Sequence, residues 1–177
     1  GRAANNGKRA QCFGGAKNHM LIMPDADMDK AADALLGAGF GAAGERCMAI
    51  SVAVPVGDAT ADALIERLVP KIEKLKVGPY TAGNDVDFGP VITKASQERI
   101  NRLIASGVDQ GAKLVIDGRG LKIQGYENGF FCGPSLFDNV TRDMDIYKEE
   151  IFGPVLSTVR AKNYEDALNL VMDNEYG

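Results

Sequence analysis

The chain has 177 residues, 45% of them hydrophobic and 25% charged, with a formal net charge of −4. A domain of this size buries about 70% of the surface its unfolded chain exposes, so it needs neither disulfides nor a structural metal. No Lys/Arg cluster points to nucleic acid or an anionic membrane surface, and no apolar run approaches the ~20 residues of a membrane-spanning helix.

Met20-Leu21-Ile22-Met23 reads as a short apolar strand closed by Pro24. Asp25 and Asp27 offer short acceptor side chains for free helical N–H groups. Apolar spacing at Ala32, Leu35, Leu36 and Phe40 then predicts a helix over about 28–43. Gly44 permits the left-handed turn that stops it. A strand around 51–56, a helix over about 60–75 and the breaker Gly78-Pro79 follow. Residues 88–92 form a loop or short strand, and Thr93 caps a helix running through Ile104. A strand over 112–116 ends in the turn Asp117-Gly118, and a second turn at 125–129 opens a strand over 130–140. After an acidic loop come a strand over 154–159 and a helix over 164–172. The alternation predicts one α/β domain: an open, mostly parallel sheet flanked by helices.

Cys12, Cys47 and Cys132 are odd in number and widely spaced, and His19 is the single histidine, so zinc-ligand spacing is absent. The set reads as reduced thiols of an intracellular protein. On spacing alone Cys47 reads as a small buried hydrophobe. Its alternative is a reactive thiol, offered at a helix–strand junction directly after Arg46. His19 is a candidate base for a cysteine hydrolase, against the plainer reading of a hydrogen-bonded structural histidine. Gly37-x-Gly39-x-x-Ala42 lies inside a helix, which favours a close-packed helix surface over a phosphate turn. Glu149-Glu150 is either a solvated charge pair or, before Ile151-Phe152-Gly153-Pro154, a pair of acids at the mouth of a strand.

Four segments in order resemble the catalytic domain of the aldehyde dehydrogenase superfamily. They are Gly44-Glu45-Arg46-Cys47, Phe88-Gly89-Pro90-Val91-Ile92, Gly129-Phe130-Phe131-Cys132-Gly133-Pro134 and Lys148-Glu149-Glu150-Ile151-Phe152-Gly153-Pro154-Val155. The resemblance covers essentially the whole chain. Gly15-Ala16-Lys17-Asn18-His19 and the segment 42–49 are similar to its CoA-acylating methylmalonate-semialdehyde dehydrogenase branch.

The resemblance implies that Cys47 adds to an aldehyde carbonyl and that hydride transfer to NAD leaves a thioester. It implies that Glu150 holds the nicotinamide ribose hydroxyls, that Phe152 packs beside ribose and nicotinamide, and that Arg46 receives a substrate carboxylate. NAD is then the cofactor, coenzyme A the acyl acceptor and a small semialdehyde the substrate, with no metal, nucleic acid or membrane. The parent protein is expected to be a homo-oligomer (dimer or tetramer), cytoplasmic, or in the mitochondrial matrix of a eukaryote. A thiol with a pKa of about 8.5 is only a few per cent thiolate at neutral pH, so a neighbouring cation helps. The planar guanidinium of Arg46 also suits a carboxylate.

Hydrolytic members carry a glutamate two positions before the first glycine of a Gly-Gly-Lys segment. Matching Gly15-Ala16-Lys17 to that segment puts Phe13 there, or Cys12 with a one-residue gap. Neither deprotonates water, which favours an external thiol as acceptor. Residues 1–177 are expected to be the catalytic domain of a protein of roughly 500 residues. Lacking the NAD phosphate site, the oxyanion asparagine, a second substrate arginine and the oligomerisation strand, they should have little activity alone. The alternatives are a non-catalytic module of the same fold with an idle thiol, or a hydrolytic aldehyde dehydrogenase giving a free acid.

Overall fold

A computed structural model describes residues 1–176, apart from the side chain of Asn84. Strands with no polar alternation occupy its centre. Val52, Ala53 and Val54 of β2 (Ile50–Pro55), Leu136 and Phe137 of β4 (Ser135–Asp138) and Leu156 of β5 (Val155–Thr158) are all fully buried. Apolar runs of this kind belong to strands covered on both faces. β1 (Asn18–Ile22) and β3 (Lys113–Ile116) flank them at the edges, and the sheet order is β1-β2-β5-β4-β3. β1, β2, β5 and β4 run parallel, while β3 pairs antiparallel with β4. The open, mostly parallel sheet flanked by helices is therefore as expected.

The helices are α1 (Arg2–Asn5), α2 (Met28–Phe40), α3 (Asp58–Ile72), α4 (Lys94–Asp109), α5 (Asp145–Lys148) and α6 (Tyr164–Met172). α2 and α3 pack on each other and on β2, whereas α4 packs on β3 and α5. Asp27 caps α2 by accepting from Lys30 N–H at 3.2 Å, and Thr93 caps α4 by accepting from Ser96 N–H at 3.0 Å. Gly39 does serve close packing: a Cβ there would stand 3.2 Å from the Ile50 carbonyl oxygen.

Several boundaries differ from the sequence reading. α2 stops at Phe40, not 43, because the chain tightens into a 3-10 turn over Gly41–Gly44 in which Ala42 and Ala43 both take positive φ. α4 continues to Asp109, with Gly107 leaving room for Ile146 and Phe137 against the helix. The strand expected over 130–140 is only Ser135–Asp138. Upstream, Gly133 N–H donates to the Gly118 carbonyl at 2.8 Å and Pro134 has no N–H to offer a ladder. The acidic loop before β5 contains α5, too short to show a helical period.

Gly44 has φ of +68°, and a Cβ on it would overlap the Gly153 carbonyl. Gly37 lies within α2 with open space around it. Gly44→Ala is expected to destabilise the fold by about 3 kcal/mol through strain and overlap. Gly37→Ala should stabilise it by about 0.5–1 kcal/mol through helix propensity. Urea denaturation midpoints of the two variants check both signs.

Candidate active site

The parallel order of β1, β2 and β5 brings three chain segments to one edge of the sheet. Residues 15–17 lead into β1, Arg46-Cys47 into β2 and Glu150-Ile151-Phe152-Gly153 into β5. They meet at the amino ends of parallel strands, whereas ligands in open α/β sheets usually sit at the carboxyl ends. Gly44 against Gly153 locks the second and third segments at backbone contact.

Cys47 lies in a turn closed by Ala49 N–H donating to the Arg46 carbonyl at 3.0 Å. Its side chain is exposed, so the reading of a small buried hydrophobe fails here and holds for Cys132 instead. Burial pushes the Cys132 thiol up to about 11, with the charge of Glu45 adding to the effect. Arg46, Glu150 and Phe152 line one narrow crevice with Asn18 and Gly44. Arg46 lies over Gly41, where a Cβ would come within 2.9 Å of its Nη1. Glu45 accepts from Ile92 N–H at 3.2 Å, which ties the Phe88–Ile92 motif to the cysteine turn. Burial raises the Glu45 carboxyl, and that hydrogen bond partly offsets the rise.

The Glu150 segment is held by two basic side chains, Lys17 and Arg99, that the sequence reading assigned no role. Lys17 is buried, and its Nζ donates to the carbonyls of Ile146 and Glu149, both at 2.7 Å. Arg99 of α4 donates to the Ile151 carbonyl at 2.9 Å and pairs with the Glu149 carboxylate at 3.0 Å. Glu149 is thus a surface ion-pair partner, and Glu150 alone turns into the crevice. Gly15 makes room for it, since a Cβ would come within 3.0 Å of Glu150 Oε2 and 3.1 Å of the Tyr176 ring. Phe152 has φ of +54°, which is strained for a bulky residue, and the residue is 40% exposed.

His19 does not serve Cys47. Its Nε2 is 3.0 Å from the Tyr147 hydroxyl, which itself donates to the Leu170 carbonyl at 3.2 Å. Burial lowers the His19 pKa. The structural reading of this histidine holds. Phe13 is 86% exposed, and Cys12 is exposed beside it, in a segment without regular structure. Among the described residues no cluster of acids, histidines and cysteines could hold a metal ion, and no helix is long and apolar enough to cross a membrane.

Residues 1–177 match the aldehyde dehydrogenase family from end to end. The chain belongs to that family. Malonate-semialdehyde dehydrogenase of Pseudomonas aeruginosa is 60% identical over 171 residues, which are 97% of this chain and 34% of that protein. A Sinorhizobium meliloti structure that bears the methylmalonate-semialdehyde dehydrogenase name, solved with NAD, is 70% identical with a TM-score of 0.94. It is matched over 99% of this chain and 35% of its own. Methylmalonate-semialdehyde dehydrogenase of Oceanimonas doudoroffii is 55% identical with a TM-score of 0.93, over 99% of this chain and 36% of its own. This aldehyde dehydrogenase chain thus spans about a third of the length of the relatives it matches.

Lys17 carries a pH signature. Burial, its largest influence, lowers its pKa from 10.5 to about 7, with Glu150 acting in the opposite direction. Between those values the unfolded chain holds a proton that the folded chain has released, so this group's contribution to stability rises with pH. Lys17→Met leaves two inward-facing carbonyls without their donor and should cost about 2 kcal/mol near pH 8. The stability difference between wild type and variant should widen from pH 7 to pH 9.5 in urea titrations. A constant difference would contradict the lowered pKa.

Proposed function

We propose that this chain is the thiol-bearing catalytic part of an NAD-dependent, CoA-acylating dehydrogenase for malonate or methylmalonate semialdehyde. The observation that carries the reading is the meeting of the Cys47 turn with the Glu150–Gly153 segment, with Arg46 lining the same crevice. The names of the relatives support the substrate class and the acylating outcome, the latter printed for the Arabidopsis thaliana protein, 53% identical over 99% of this chain.

In this reading Cys47 Sγ, as thiolate, forms a bond to the aldehyde carbon, and the carbonyl electron pair moves onto oxygen. Among the described residues Cys47 N–H donates to no protein acceptor, so it is available to that oxygen. Arg46 takes the substrate carboxylate through its planar fork. NAD, when bound, supplies the hydride acceptor. Glu150 would hold its ribose hydroxyls and Phe152 would pack beside the nicotinamide. Two features suit that role: the Glu150 carboxylate accepts from no protein donor among the described residues, and strained backbone keeps the Phe152 ring outward. Loss of hydride from the bound carbon leaves a thioester on Sγ. Attack on it by the coenzyme A thiol breaks the carbon–Sγ bond, releasing acyl-CoA and restoring the cysteine. Exposed Phe13 and Cys12 offer no carboxylate to activate water, which supports the thiol acceptor.

The parent protein is proposed to be a homo-oligomer in the cytoplasm, or in the mitochondrial matrix if eukaryotic; the printed name of the Arabidopsis thaliana relative is mitochondrial. Residues 1–177 alone are proposed to be nearly inactive, since Glu150 and Phe152 would grip only one end of the cofactor.

Product analysis on the parent protein with malonate semialdehyde and NAD tests the reading. Acyl-CoA should form with coenzyme A present, and Cys47→Ala should abolish it. Free acid formed as fast without coenzyme A would instead assign the hydrolytic alternative. Iodoacetamide labelling of the parent protein separates an active from an idle thiol: with semialdehyde and NAD present, thioester formation should protect Cys47 while exposed Cys12 stays reactive, and Cys132 should resist labelling below about pH 10 because burial pushes it to about 11. Labelling of Cys47 that substrate does not change would favour the idle module.

A further inference from the structure

Asn18 opens β1, and its side chain reaches a different partner from those of Lys17 and His19. Those two hold α5 and the Glu150 segment, whereas Asn18 Nδ2 donates to the Cys47 carbonyl at 2.8 Å and the Ala49 carbonyl at 2.9 Å. A primary amide has two N–H donors, and both are spent on this one turn. The strand register is built around the contact. Asn18 pairs with Ile50 but His19 with Val52, so Ser51 is an extra residue on β2. Bulges of this kind re-aim side chains beside active sites and are rare between parallel strands.

The peptide plane transmits the constraint. Holding the Cys47 carbonyl oxygen fixes the plane shared with Met48 and with it the ψ of Cys47. The Cα–Cβ direction, and so the line along which Sγ approaches a bound aldehyde, follows from that plane. Resting on the function proposed above, we infer that Asn18 is a positioning residue for the Cys47 nucleophile. It aligns the thiol by clamping its peptide from the neighbouring strand, with both amide N–H groups spent on that turn. Asn18 is partly exposed, so its truncation leaves the core intact.

The test uses the parent protein carrying Asn18→Ala, Asn18→Asp or Asn18→Ser. Asp keeps the shape of the side chain but offers no donor and faces two carbonyl oxygens. Ser keeps a single donor. Single-turnover NADH formation and kcat should fall at least about tenfold in the Ala and Asp variants, because small misplacements of a reacting group are costly. The aldehyde KM should change by less than about threefold, since the lost interaction is expressed in the transition state. Ser should fall between Ala and wild type, which keeps the test informative should the Asp variant fold poorly. Wild-type rates in the Ala and Ser variants, or a loss confined to KM, would overturn the role of Asn18 alone. A wild-type parent that forms no NADH would sink the proposed function first, and the role of Asn18 with it.

Discussion

Lys17 and the first two residues of β1, Asn18 and His19, hold the candidate site together. Successive side chains of a strand point to opposite sides, and Lys17-Asn18-His19 uses that alternation as a two-sided clamp. Lys17 and His19 take the α5 side, through two carbonyls and the Tyr147 hydroxyl. Asn18 takes the cysteine turn. The thiol and the Glu150 segment are therefore positioned by one short stretch of backbone, although about 100 residues separate them in the chain, as parallel connections allow. The clamp works only because β1, β2 and β5 are immediate neighbours in the sheet.

Glycines complete what the clamp begins. At Gly44 and Gly153 the two motif backbones come so close that a side chain on Gly44 would collide with the other strand's approach. That contact converts sequence motifs into a single crevice. Burying Lys17 to secure the other side is costly, as the fall of its pKa to about 7 shows. Its two short hydrogen bonds and the nearby charge of Glu150 offset that cost.

Most of the fold was legible because its signals are local. Apolar runs gave the buried strands, Asp27 and Thr93 gave the caps they were expected to give, and α6 falls on residues 164–172 as read. What escaped was set by tertiary contact. No propensity rule places two alanines in left-handed conformation, yet Ala42 and Ala43 end α2 that way to deliver Gly44 to Gly153. Of the candidate site, Cys47, Arg46, Glu150 and Phe152 were proposed from their motifs, and the last three line one crevice beside the Cys47 turn. Lys17, Asn18 and Arg99 were not assigned roles, because a donor that binds distant carbonyls leaves no spacing pattern in its own segment. The alternation of Lys17, Asn18 and His19 on a strand was the one available signal.

The hydrogen bonds also divide labour between backbone and side chain. Lys17, Asn18 and Arg99 direct four hydrogen bonds at carbonyl oxygens of the motif segments, a fifth at the Ile146 carbonyl of α5, and a sixth at the carboxylate of Glu149, the acid that stays outside the crevice. The Cys47 thiol, the Arg46 guanidinium, the Glu150 carboxylate and the Phe152 ring are left without such partners among the described residues. A site stabilised through its reactive side chains would have to break those bonds before binding anything. Holding the peptide planes instead leaves the side chains unpaired and already oriented, so less ordering remains to be done when a ligand arrives. That disposition suits the proposed site at the amino ends of the parallel strands: its order comes from clamped carbonyls and not from the strand termini themselves.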